Sequence, residues 1–251
     1  MSGRSAARNG GHRDFATKLY GRPARPIPAC SFQPERRLTP HDKVVAVILA
    51  RATSARLPGK HLLRLGGHTL LQILVGRLRR VKSIDELVAA IPEGPAHHDL
   101  EAQFRSLGVP VWKGSESDVA GRFADAASNV EATWALRVNG DCPFQDPFLL
   151  DRGIGLARSS DTDFVTNIPG RTWPYGVSME LVRTSTYDGF RKRFSSTEHV
   201  EHVTAWLYQN PSSARTTPIF FEGDPVLRAA RLVVDTPEDL EIMSNSVIAS
   251  G

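Results

Sequence analysis

The sequence predicts an α/β fold built on a mostly parallel sheet. Short apolar runs rich in β-branched residues alternate with amphipathic stretches of helical period between residues 43 and 138. Turn-forming residues punctuate the alternation, as in Pro92-Glu93-Gly94-Pro95 and Gly108. Two polar clusters, ARATSARLPGK (50–60) and NGDCP (139–143), follow apolar runs directly. Strand, loop, helix and strand in repetition imply right-handed crossovers, which lay successive strands parallel.

Each element has its own reason. KVVAVILA (43–50) is a continuous apolar run, the pattern of a strand covered on both faces. TLLQILVGRLRRVK (69–82) sets Leu70, Leu74, Leu78 and Val81 on one stripe and predicts a helix. DELVAAI (85–91) reads as the second strand. HDLEAQFRSLG (98–108) reads as a helix with Gly108 just past its end. VPVW (109–112) is a short third strand. SDVAGRFADAASNV (117–130) is a helix capped by Ser117 or Asp118, and TWALRV (133–138) a fourth strand. Further on, TDFVTN and VSMELV read as strands and TSTYDGFRKRF as a helix. TEHVEHVTAWLYQN (197–210) reads as one helix stopped by Pro211. RTTPIFF and RLVVD read as strands. PEDLEIMSNSVIAS is a last helix with Pro237 in its first turn and Asp235 or Thr236 as its cap.

Residues 1–40 stand apart. They carry eight Lys or Arg against two acids, whereas the other 211 residues hold 23 bases and 25 acids. The high pI of 9.3 therefore belongs to the tail, and the body has no charge excess suited to nucleic acid. The tail is rich in Arg, Gly, Pro and Ser without apolar periodicity, so disorder is expected over 1–40 and a single folded domain over 41–251. It lacks the apolar centre of a secretory signal. Two cysteines, Cys30 and Cys142, make no disulfide framework and point to a reducing compartment. The longest apolar run, Val44–Ala50, is far too short for a membrane span.

The loop at 50–60 carries the chemistry. Its small residues let backbone N–H groups converge on phosphate oxygens. Thr53 and Ser54 add hydroxyls, and Arg51, Arg56 and Lys60 can neutralise a triphosphate. The order is not that of a Walker A loop. Asp141, just past a strand end, is placed either to bind Mg²⁺ opposite phosphates or to form an Asx turn before Pro143. Asp235 has the same context and could equally cap the last helix. His199 and His202, three apart, would share a helix face; without a third ligand nearby the pair suits a structural or substrate contact better than zinc. Glu180 follows a Pro-Tyr-Gly turn, either facing solvent or facing the site.

These pieces, in this order, resemble the sugar-acid cytidylyltransferases, in particular the branch named for spore coat polysaccharide biosynthesis protein F. CMP-KDO and CMP-sialic acid synthetases are more distant relatives. The matching stretches are ARATSARLPGKHL (50–62), GSESDVAGRFADAASNV (114–130), RVNGDCPFQDP (137–147), WPYGVSME (173–180), EHVT (201–204) and VVDTPEDLEIM (233–243). The resemblance implies a three-layer α/β/α nucleotidyltransferase fold and transfer of CMP from CTP to a sugar or sugar acid, with Mg²⁺ and release of pyrophosphate. It implies that Arg51, Ser54, Arg56 and Lys60 hold the triphosphate, with Arg122 near the nucleotide. Lys60, Arg56 and Asp141 would serve catalysis, Asp141 and Asp235 would bind the metal, and Glu180 and His202 would line the acceptor side. It further implies a cytoplasmic enzyme, often a homodimer. One departure lies at VAAIPEGPAHHD (88–99), which lacks a hydroxyl at Ile91 where the family recognises the base. Two alternatives remain: a nucleotide-sugar-dependent glycosyltransferase, for which Asp161-Thr162-Asp163 would be the acid-x-acid metal site, or a non-catalytic nucleotide-binding protein.

Overall fold

A computed structural model describes residues 42–249 of the chain; the basic segment 1–40, with its expected disorder, lies outside them. In chain order, β1 (Val44–Leu49) leads through a small hairpin, β2 (Arg64–Leu65) and β3 (His68–Thr69), into α1 (Leu70–Leu78). β4 (Glu86–Pro92), α2 (His98–Ser106), β5 (Val111–Gly114), α3 (Val119–Asn129) and β6 (Trp134–Asn139) follow. Then come α4 (Pro147–Ser159), β7 (Phe164–Thr166), β8 (Glu180–Arg183) and α5 (Thr184–Arg191). The chain closes with α6 (Thr197–Glu201), α7 (Ala205–Gln209), β9 (Thr216–Pro218), α8 (Pro225–Arg228) and α9 (Pro237–Ala249).

Seven strands form one sheet in the order β5-β4-β1-β6-β8-β7-β9. All pairings are parallel except those of β8, which runs against both β6 and β7. The expected mostly parallel sheet is therefore present. The alternation of side chains along β1 explains its continuous apolar run. Val44, Ala46 and Ile48 face one layer with Leu71, Leu74, Leu78, Phe104, Leu150 and Ile154. Val45, Val47 and Leu49 face the other, with Phe123, Ala126, Tyr187, Phe190 and Trp206. Each large side chain so enclosed contributes about 1.5–3 kcal/mol, and the result is the three-layer α/β/α arrangement.

Local signals decide the helix ends. Thr69 caps α1 in a reciprocal pair with Gln72: the Gln72 N–H donates to Thr69 Oγ1 at 3.1 Å and the Thr69 N–H to Gln72 Oε1 at 2.7 Å. Asp118, not Ser117, caps α3 by accepting the Gly121 N–H at 2.7 Å. Gly108 sits past α2 with φ +65°, as its position predicts.

Several features differ from the sequence reading, among them the hairpin β2–β3 and helix α8, which it did not contain. Helix α4 was not foreseen, although Asp146 caps it and Pro147 opens it; Gly153 and Gly155 weaken its pattern. The segment 197–210 is two short helices, not one. RLVVD is no strand. Its Leu232 N–H donates to Tyr175 O at 2.6 Å and its Val234 N–H to Asp141 O at 2.9 Å, so it laces two loops together instead of joining a ladder. Finally, β5 starts two residues later than VPVW suggests, because Val109 turns back to donate to Phe104 O.

Candidate active site

The chain leaves β1 toward β4 and β5 on one side, then returns through α3 to β6 on the other side of β1. The carboxyl ends of β1 and β6 thus flank a topological switch point, where open α/β sheets hold ligands. The 50–60 loop and Asp141 both emerge there.

The loop is organised around the peptide of Ala52. Its carbonyl accepts the Ser54 N–H at 3.0 Å and the Gly59 N–H at 3.2 Å. Gly59, at φ +63°, reverses the chain into a single 3-10 turn that begins at Lys60; a side chain at that φ would be strained. Lys60 is drawn inward and is only 7% exposed. Its Nζ donates to Asp141 Oδ2 at 2.7 Å and to Asp235 Oδ1 at 3.0 Å. The Arg56 guanidinium pairs with the other oxygen of Asp235 at 2.6 Å. Arg51 is exposed, and Ser54 is half-buried, its Oγ accepting the Leu57 N–H at 3.4 Å.

Electrostatics follow from this packing. Burial works to lower the Lys60 ammonium, but Asp141 and Asp235 outweigh it and hold its pKa above the ordinary value. Burial likewise works to raise the Asp141 carboxyl, and the Lys60 charge overrides it, keeping Asp141 below the usual range. His61, buried behind Lys60, is pushed down by desolvation. Gly140 admits that ring: a Cβ there would stand 3.0 Å from His61 Cε1 and from Ala50 Cβ.

Asp235 is not the helix cap. Thr236 Oγ1 accepts the Asp239 N–H at 3.2 Å, and Asp239 Oδ2 accepts the N–H groups of Asp235 and Thr236 at 2.9 and 3.1 Å. Arg231 holds Asp239 in place through two bonds of 2.7 and 3.0 Å. Asp235 keeps both carboxylate oxygens for Lys60 and Arg56.

Glu180 does not face solvent. It opens β8, is 1% exposed, and accepts from Thr204 Oγ1 at 2.6 Å, from Tyr208 OH at 2.8 Å and from the Arg137 guanidinium. Burial opposes its ionisation, and Arg137 with the two hydroxyls keeps its pKa low nonetheless. This hub explains the broken helix: between α6 and α7 the chain opens at His202, φ −108° and ψ 91°, so that Thr204 and Tyr208 both reach Glu180. His202 therefore shares no helical face with His199. The ring of His199 lies between the Ser195 N–H at 3.4 Å and Gln209 Oε1 at 2.7 Å. His202 is half-buried, with burial lowering its pKa.

Arg122 is 3% exposed and donates to the carbonyls of Ala90, at 3.3 Å, and Ser115. Burial first, and then the Arg51 charge, lower its pKa to about 10. Asp161 and Asp163 lie at the amino end of β7, remote from the carboxyl ends of β1 and β6. Both pair with Arg215, Asp163 through two bonds of 2.8 Å, so the acid-x-acid site of a glycosyltransferase has no support here.

Sequence reading missed Arg137, Thr204, Tyr208, His61, His97 and Glu116. Arg137 left a signal, a lone charge inside an apolar strand run. The others have partners too remote in sequence for any spacing to show.

A family model described as cytidylyltransferase matches residues 45–242. The chain is 35% identical over 209 residues to the spore coat polysaccharide biosynthesis protein SpsF of Bacillus subtilis (strain 168), covering 80% of this chain and 84% of that protein. It is 32% identical over 114 residues to the 3-deoxy-manno-octulosonate cytidylyltransferase of Geobacter sulfurreducens, covering 44% of each. A solved cytidylyltransferase from Leptospira borgpetersenii serovar Hardjo-bovis (strain JB197) superposes with a TM-score of 0.78 at 29% identity, covering 83% of this chain and 88% of that one.

Proposed function

This chain belongs to the cytidylyltransferase family, and we propose that it joins CMP from CTP to an oxygen of a sugar or sugar acid for surface glycan synthesis. It is a CTP-dependent nucleotidyltransferase. The observation that carries the reading is the Lys60 ammonium, seated between Asp141 and Asp235 beneath a loop that also presents Arg51 and Arg56.

In this reading an acceptor oxygen attacks the α-phosphorus in line. The new O–P bond forms as the bond to the β-phosphate oxygen breaks, and that electron pair leaves with pyrophosphate. The acceptor hydroxyl yields its proton to solvent water as the O–P bond forms. Lys60, Arg56 and Arg51 neutralise charge that grows on the leaving group, and the loop N–H groups and Ser54 fix the phosphates. Arg122 supports the nucleotide side.

Asp141 and Asp235 would hold Mg²⁺. They converge on one cation already, the Lys60 ammonium, and both offer hard oxygen donors. Among the described residues no cluster of three or more His, Cys, Asp or Glu is present. When bound it would offset phosphate charge.

On the acceptor side, Glu180 spends its oxygens on Thr204, Tyr208 and Arg137. It holds in place Arg137, whose positive charge would favour the carboxylate of a sugar acid. His202 borders the same space. A homodimer and a cytoplasmic location belong to this reading; exposed Phe220, Val226 and Leu227 offer apolar surface for a second copy, and light scattering tests it. Among the described residues no helix is long and apolar enough to cross a membrane.

The test is pyrophosphate release with CTP, UTP, ATP and GTP against a panel of sugars and sugar acids. Release that needs CTP and a sugar acid supports the reading. Release with a different nucleotide would mean that the segment at 88–99 selects another base, and no release with any pair would overturn the proposal.

A further inference from the structure

The 50–60 loop is tied down on both sides of the switch point. On the β6 side Arg56 and Lys60 reach Asp235 and Asp141. On the β4 and β5 side two successive residues are held by two other segments. The Ala52 N–H donates to His97 Nδ1 at 3.1 Å, and the Thr53 hydroxyl donates to Glu116.

His97 is unusual in its setting. Residues 93–96 and 98–99 are exposed, yet the His97 ring is 2% exposed. Gly94 and Pro95 open a 3-10 turn that folds the ring back toward the end of β1. The peptide preceding Ala52 is thus held by His97, while the Ala52 carbonyl closes the loop onto Gly59, next to Lys60. Ala52 thus links His97 to the residue next to the cation held by the two aspartates.

We propose that His97 is a positioning residue for the nucleotide loop: its neutral ring accepts the Ala52 N–H on Nδ1, and protonation there releases the loop and weakens CTP binding. The proposal rests on the reading that this loop binds the triphosphate. An imidazole whose Nδ1 accepts carries its proton on Nε2; a second proton at Nδ1 turns the acceptor into a donor facing another donor. Burial is the main cause that keeps the ring neutral, aided by Arg122 from α3 and opposed by Glu116 from the segment after β5, so its pKa lies below the ordinary 6.5. The clip is closed at neutral pH and opens as pH falls through the lowered pKa of the ring.

The experiment is titration calorimetry of the full chain with CTP between pH 7.5 and 5, on wild type, H97N and H97F. The Asn carbonyl oxygen can stand where Nδ1 stands, and Phe has no acceptor. One lost hydrogen bond corresponds to roughly a 5- to 10-fold change in Kd. H97F should bind CTP that much more weakly at pH 7.5, with circular dichroism confirming its fold. H97N should recover most of the affinity and bind more tightly than wild type at pH 5, since titration of the nucleotide itself affects both alike. Wild-type affinity in H97F, or equal pH profiles in wild type and H97N, would overturn the proposal. Absence of CTP binding by wild type would instead overturn the functional reading beneath it. If H97F does not fold, the wild-type and H97N profiles decide alone.

Discussion

Asp141, midway along the described residues, and Asp235, near their end, close on a single ammonium, with Lys60 Nζ at 2.7 Å from one and 3.0 Å from the other. The backbones are joined as well, through the Val234 N–H and the Asp141 carbonyl at 2.9 Å. The pair is held by main chain and needs no helix-cap duty from either carboxylate.

Asp141→Asn and Asp235→Asn should each lower turnover by about 10²-fold or more, through lost placement of the metal they would hold and of the Lys60 ammonium. Steady-state kinetics on folded variants checks this. Wild-type turnover in either would remove that residue from the mechanism.

Thr236→Val separates capping from chemistry. It removes the acceptor for the Asp239 N–H and should cost about 1 kcal/mol of stability in urea unfolding. Asp235→Asn should leave that helix cap intact. Asp235→Asn can itself cost stability through the Lys60 pair, so the double variant decides: a Thr236→Val cost that disappears once Asp235 is Asn would show that Asp235 serves the helix after all.

Glu180 gives the chain an acid-labile joint. Its folded pKa lies below the ordinary 4.5, so its contribution is present above that value and is lost as pH falls through the lower folded pKa. Wild type should lose stability below about pH 4.5 more steeply than Glu180→Gln, as read by denaturant midpoints from pH 6 to 3. At neutral pH Glu180→Ala removes a buried charge partner of Arg137 and should cost about 3–5 kcal/mol.

Asp163→Ala should disturb the Arg215 contact and leave CTP-dependent turnover within about twofold of wild type, as expected for a charge outside the site. A collapse of turnover with the fold intact would revive the acid-x-acid reading.

The sequence was most legible where neighbours in the chain decide the outcome. The run at 43–50 has the pattern of a strand covered on both faces, and Gly108 and the pair Ser117-Asp118 marked helix ends through bonds spanning three or four residues, whereas the Thr69 cap was not read. It was less legible where the partner is remote. The segment 197–210 has helical composition throughout, yet it breaks at His202 because Thr204 and Tyr208 both bond Glu180, a gain no local pattern contains. RLVVD has strand composition, yet it spends its N–H groups on Tyr175 and Asp141.

By itself the sequence determined the parallel α/β frame, the cation-rich loop at the end of β1 and the two acids at chain positions past apolar runs. Those follow from hydrophobic period and turn chemistry, which act over a few residues. Only the tertiary structure decided that Asp235 faces Lys60 while Thr236 and Asp239 cap the helix, that Glu180 holds Arg137, and that His97 grips Ala52. Each of those choices is a hydrogen bond or ion pair between segments that meet only after the sheet has formed, and a buried polar group takes whichever partner the packed layers bring within reach.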